Sequence, residues 1–245
     1  FTSVLPERVM NAVYDLKDDD KYEAIIIDEG QDFGNDRICA LYELLENTDD
    51  TQWLYFADNN QDLYGQGTDE TLGAEVIFRL YHNCRNTERV NNATNRVCGG
   101  EVKSMPGVPV GETPQVSICK NNFMAQKAWS LVKAISPDGG AVILSPYKLE
   151  NSCMNDTRRS HGLVLTEEIS KLGQAGYVFY STIKSFKGLE CRHVIFIHAD
   201  KPDVTQALGK EDLYVAFTRA SARLDVITAN LEAADWLSSL RLTLV

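Results

Sequence analysis

The stretch Ile25-Ile26-Ile27-Asp28-Glu29-Gly30-Gln31-Asp32 decides how the chain is read. A β-branched run of this kind predicts a buried parallel strand. Open α/β sheets gather their chemistry at the carboxyl ends of such strands, and an acidic pair stands there. Carboxylates are costly to bury without a partner. A divalent cation carrying a phosphate is the partner that suits them. Taken alone, the same residues also fit a solvated acidic turn after a core strand.

Working outward, the pattern alternates between strand and helix. Helical spacing over 6–16 places Val9, Met10, Val13 and Tyr14 on one stripe. The first strand is expected at 23–27, a helix at 36–46, a strand at 51–57 around Trp53-Leu54-Tyr55-Phe56, and a short strand at 76–80. A helix opens after Asn83-Cys84-Arg85-Asn86-Thr87, with Asn86 or Thr87 as its N-cap, and runs to Cys98. Glycines and prolines over 99–114 mark a linker. Strands follow at 116–119, 141–144, 178–183, 193–197 and 224–228. Helices fall at 123–135, within 155–173, at 211–220 and at 233–240. Strands alternating with helices imply a parallel sheet in an α/β protein.

The 245 residues suffice for one large or two modest domains. No apolar run is long enough to span a membrane. The six cysteines form no C-x-x-C pair or zinc spacing, and in a chain this long they favour the reduced state of an intracellular, cytoplasmic protein. Net charge is −11, which argues against a general nucleic-acid coat protein. The charge is uneven. Residues 1–80 hold 19 acidic and five basic side chains, whereas 81–245 hold 16 acidic and 19 basic ones. Only the second part could face phosphate unaided.

Five stretches in order then resemble UvrD/Rep-type superfamily 1 DNA helicases. Ile27–Asp32 resembles their Walker B motif, and Asp58-x-x-Gln61-Asp62-Leu63-Tyr64 their third motif. Asn83–Thr87 resembles the fourth, Thr182–Glu190 the fifth and Leu213–Ala220 the sixth. The resemblance implies RecA-like parallel sheets flanked by helices, of the P-loop NTPase type. One is partial (1–80, the carboxyl-terminal part of a first motor domain) and one complete (81–245, the second motor domain). It implies ATP and Mg²⁺ as cofactors and single-stranded DNA as partner, with hydrolysis driving movement along the strand. By that likeness Asp28 helps hold the metal, Glu29 polarises the attacking water and Gln61 senses the γ-phosphate. Arg85 and Arg219 reach the γ-phosphate as fingers, a task suited to the flat guanidinium fork. Gln31 and Glu190 contact the nucleotide, Glu190 through the ribose hydroxyls. Tyr64 stacks a base, and Thr182, Ser185 and Lys187 hold the nucleic acid. Singly, Arg85 also reads as a helix-start arginine paired with an acid, and Arg219 as one near a helix end.

Departures from the family qualify this. No G-x-x-x-x-G-K-[ST] loop occurs, so the phosphate cradle is expected upstream of Phe1 and this chain alone is expected to be inactive. Cys84 replaces an adenine-stacking tyrosine, Gly65-Gln66-Gly67 replaces aromatic and basic residues, and Lys184 replaces a histidine. The interval from Leu144 to Val178 leaves no room for the large accessory insertion. Two rival readings remain: a helicase-like ATPase that never translocates, and an inactive scaffold that binds a partner protein.

Overall fold

The computed structural model describes residues 4–13, 15–46, 50–63, 76–202 and 208–245. The chain divides into two compact units, Phe1–Arg79 and Leu80–Val245.

In the first unit, α1 (Val4–Val13) precedes β1 (Ala24–Ile27), α2 (Asn35–Tyr42) and β2 (Gln52–Tyr55). β1 and β2 pair in parallel, Ala24 opposite Gln52 through Ile27 opposite Tyr55. Side chains alternate across the pair. Ile27 is buried, while Ile26 and Leu54 share the other face and stay exposed, at 66% and 42%. Residues 76–80 form no strand. Val76, Ile77, Phe78 and Leu80 are exposed instead. Their β propensity finds no partner strand among the described residues, and propensity without a ladder does not make a strand.

The second unit begins with β3 (His82–Asn83), α3 (Glu88–Cys98) and β4 (Lys103–Ser104). β3 and β4 pair in parallel, so the expected linker holds a strand. Then come β5 (Gln115–Ile118), α4 (Asn121–Ile135), β6 (Val142–Ser145), β7 (Arg159–Ser160), β8 (Leu163–Thr166), β9 (Tyr177–Thr182), β10 (Cys191–Phe196), α5 (Lys210–Thr218), β11 (Ala220–Thr228), α6 (Leu231–Ser239) and β12 (Thr243–Leu244). Eight of these strands make one sheet in the order β12-β5-β11-β10-β6-β9-β8-β7. Every neighbouring pair is parallel except β7–β8. Both faces are covered, as a parallel sheet requires. Ile143, Ile195 and Ile227 join Met124, Ala128, Trp129 and Val132 of α4 in one core layer. On the other side Phe196 meets Phe217 of α5 edge-on, ring centroids 6.5 Å apart.

The helix expected within 155–173 is replaced by the β7–β8 hairpin and one 3-10 turn at Ile169–Lys171. His161 and Gly162 form its two-residue loop, with φ of 53° and 81°. Positive φ at both positions is the backbone of a type I′ turn, whose twist matches that of the strands. Leu163 and Leu165 are buried and alternate with half-buried neighbours, a period of two.

Candidate functional site

The first unit brings its expected residues together at the carboxyl ends of β1 and β2. Glu29 adopts a left-handed backbone, φ 52° and ψ 41°. That conformation costs a non-glycine residue about 1 kcal/mol. Local bonds offset it. The Glu29 amide donates to Asp28 Oδ1 at 2.9 Å, and its carbonyl accepts the Asp32 amide at 2.9 Å. Gln31 is 1% exposed and faces both ways: Nε2 donates to Glu29 Oε2, and Oε1 accepts the Asp58 amide at 2.9 Å. Asp58 in turn accepts from Gln61 Nε2 at 2.8 Å. A buried carboxamide therefore orients the Glu29 carboxylate and ties it to the second strand end. Gly30 is required at its place because a Cβ there would lie 2.1 Å from Cε2 of Tyr55.

These donors are hard oxygens. Among the described residues no group of three or more His, Cys, Asp or Glu side chains is set for direct metal ligation. Magnesium keeps several waters and leans on one or two carboxylates plus phosphate oxygens. Asp28 and Glu29 fit that mode, with Asp28 as the exposed carboxylate that could hold such an ion through water. Tyr64 lies outside the described residues.

The second unit gathers Arg85, Glu190 and Arg219 at the amino-terminal edge of its sheet, because Glu190 precedes β10 and Arg219 precedes β11. Arg85 Nε meets Glu190 Oε2 at 2.8 Å, both side chains about half exposed. Arg219 is 1% exposed. Its guanidinium donates to Leu189 O at 3.1 Å and to Thr218 Oγ1 at 3.1 Å, and Nε donates to Val215 O at 3.3 Å. The expected finger is thus turned inward, holding the residue next to Glu190.

Two asparagines that sequence reasoning passed over as helix-start residues build this edge. Asn83 Oδ1 accepts the amides of Arg85 at 3.0 Å and Asn86 at 2.9 Å, which folds the chain tightly around Arg85. Asn83 Nδ2 donates to Asn86 Oδ1 at 2.7 Å. Asn86, 2% exposed, donates from Nδ2 to the carbonyls of Thr218 at 2.9 Å and Ala220 at 2.7 Å, on either side of Arg219. Thr87 holds the N-cap position of α3, yet its hydroxyl makes no cap bond and donates to Ala222 O instead. The three-residue spacing of Asn83 and Asn86 was the available signal, since short amides so placed favour a turn over a cap.

Thr182 and Ser185 lie at the opposite, carboxyl edge, where β9 ends. Thr182 Oγ1 donates to Ser185 Oγ at 2.9 Å and accepts the Ser185 amide at 3.1 Å. Lys184 is exposed and Lys187 half-buried. Fully buried Phe186 anchors the turn, its ring centroid 6.0 Å from that of Phe179. Residues 183–190 therefore run from one sheet edge to the other.

Burial pushes the Cys153 thiol up to about 11 and also raises Cys119 and Cys191. These thiols are poor nucleophiles at neutral pH. No helix among the described residues is long and apolar enough to cross a membrane.

A parallel-dominated sheet covered by helices, with an acid and two arginines drawn to one edge, defines an α/β domain. Residues 177–227 match the UvrD-like helicase C-terminal domain family, which gives the chain a UvrD-like portion towards its C-terminus. A search of curated proteins gave no match. Two solved structures show a distant likeness. One is the C-terminal domain of a possible DNA helicase from Lactobacillus plantarum WCFS1, 17% identical with a TM-score of 0.49, covering 66% of this chain and 98% of that one. The other is Arterivirus nonstructural protein 10 (helicase), 16% identical with a TM-score of 0.46, covering 88% of this chain and 40% of that one.

Proposed function

We propose that this chain is the carboxyl-terminal part of an ATP-dependent superfamily 1 DNA helicase or translocase, in which ATP hydrolysis drives movement on single-stranded DNA. The observation that supports it best is the meeting of Arg85, Glu190 and Arg219, from three separate stretches, at one sheet edge. ATP with Mg²⁺ supplies the scissile phosphate and its countercharge. Glu29, oriented by buried Gln31, accepts a proton from the attacking water, and Asp28 would hold Mg²⁺, which would supply countercharge to the phosphates. Gln61, which donates to Asp58, senses the γ-phosphate in this reading. Arg85 is the exposed cation for that phosphate, and Glu190 exchanges its arginine for ribose hydroxyls. Thr182, Ser185 and Lys187 take the phosphates of the strand, positions that carry affinity without sequence choice.

The test is ATP turnover by the intact protein with and without single-stranded DNA. Turnover stimulated by DNA and abolished by Glu29→Gln supports the motor, and a strand-displacement assay then separates a helicase from an ATPase that does not translocate. Hydrolysis by the 245-residue chain alone, lost on Glu29→Gln, would overturn the expectation that this chain by itself is inactive. The inward guanidinium of Arg219 favours one rival, a helicase-like scaffold for a partner protein. Absence of any turnover in the intact protein selects that rival.

A further inference from the structure

We infer that Asn86 is the positioning residue that presets Arg85 for the nucleotide; the inference rests on the nucleotide reading of this edge. A single buried carboxamide uses three bonds to do this. Its two carbonyl acceptors, Thr218 O and Ala220 O, bracket Arg219, where α5 gives way to β11. Its own oxygen accepts from Asn83, and Asn83 holds the amides of Arg85 and Asn86. Thr87 N–H donates to Ser221 O at 3.0 Å and continues the same seam. The segment bearing Arg85 is thereby pinned to the first residues of β11 through Asn86 and Thr87, with Arg85 tied to Asn86 by way of Asn83. Arg219 fixes the neighbouring Leu189 carbonyl, and the Arg219 carbonyl accepts the Cys191 amide at 2.9 Å, so Glu190 is held from both sides.

Arg85 and Glu190 are each about half exposed, and their ion pair alone is too weak to set a geometry. The buried amides set it. Asn86 itself points away from any phosphate, since both Nδ2 protons are taken by backbone carbonyls inside the domain. Its effect on catalysis must therefore pass through Arg85.

The test is steady-state ATP hydrolysis by the intact protein, with variants compared at a temperature where each is fully folded by circular dichroism. Asn86→Ala is expected to lower kcat by about tenfold or more, because a displacement near 1 Å at a catalytic group is enough for that. KM for ATP is expected to change by less than about threefold. Introduced into an Arg85→Ala background, the same change is expected to alter kcat by less than about twofold, the signature of a residue that works through its neighbour. Asn83→Ala leaves the buried carbonyl pair untouched and is expected to shift kcat in the same direction, which keeps the test decisive if Asn86→Ala fails to fold. A loss of thermal stability with unchanged kcat in both asparagine variants would reduce them to structural residues. An equal loss of kcat with and without Arg85 would refute the route through Arg85. If Arg85→Ala leaves turnover intact, the nucleotide reading of the edge falls and the inference with it. If Arg85→Ala stops turnover while both asparagine variants retain it, only the inference falls.

Discussion

Replacing Arg219 by methionine keeps an unbranched apolar stem and removes the guanidinium with its donors. In the folded unit this guanidinium is 1% exposed and reaches Leu189 O, Val215 O and Thr218 Oγ1. Val215 O retains the Arg219 amide and the Thr218 hydroxyl as donors. Leu189 O loses the guanidinium donor. A part-buried carbonyl left in that state, together with the loss of charge-assisted bonds from a buried guanidinium, costs about 2–4 kcal/mol. With a urea m-value near 2 kcal/mol/M, the unfolding midpoint of the second unit falls by about 1–2 M. The probe is Trp129, which is buried and donates from its indole to Thr157 O at 2.9 Å, so its emission reports this unit. Arg85→Met is the control. Its ion pair is half exposed, and its loss should move the midpoint by less than about 0.5 M. Equal midpoints for the two variants would refute the inward placement of Arg219. A kinetic arm then sorts its role: Arg219→Ala in the intact protein lowers kcat by about 10³-fold if the guanidinium swings out to the γ-phosphate. A loss under about tenfold leaves it as an internal strut.

Two further outcomes follow from the same geometry. Gly30→Ala drives a methyl group into the Tyr55 ring, which must move, and should destabilise the first unit by about 1–3 kcal/mol; unchanged near-ultraviolet circular dichroism from the Tyr42–Trp53 pair, 5.4 Å apart, and unchanged stability would contradict it. His193 is held below its usual range by burial and by the charges of Arg192 and Arg223, and His198 by burial. The unfolded chain therefore binds protons near pH 6.5 that the folded one refuses, so the second unit keeps this stability above about pH 6.5 and loses it as the pH falls further. Urea midpoints followed by Trp129 at pH 7.5 and 5.5 measure the loss. His193→Gln should flatten the slope, and an unchanged slope would remove His193 from the account.

The strands with continuous β-branched runs were legible because burial on both faces leaves little else for such a sequence to do. β6 and the latter part of β10 are of this kind, whereas β1 was legible from its isoleucine run although Ile26 on its second face is exposed. The hairpin of β7 and β8 was not, because its strands are short and its signal is a His161-Gly162 pair outside the usual Asn-Gly or Asp-Gly form. β3, β4 and β12 have two residues each, too few for any periodicity. In the first unit the rule that chemistry sits at carboxyl strand ends led directly to Asp28 and Glu29. In the second unit the gathered residues stand at amino ends, ahead of β10 and β11, and ordered motifs located them where the strand rule could not. The inward turn of Arg219 rests on a contact 30 residues away, and the part played by Asn86 on contacts across more than a hundred, which no local pattern carries.

The parallel pair of β1 and β2 has a practical consequence. Ile26 and Leu54 face solvent together, Phe56 beyond them is also exposed, and among the described residues no third strand joins either side of the pair. Backbone groups in line beside bare aliphatic side chains form a template for strands from other molecules. Concentrated solutions of this chain should therefore self-associate through its acidic half despite the net charge of −11. A lysine at Ile26, placed in the middle of that surface, is the change most apt to keep it dispersed.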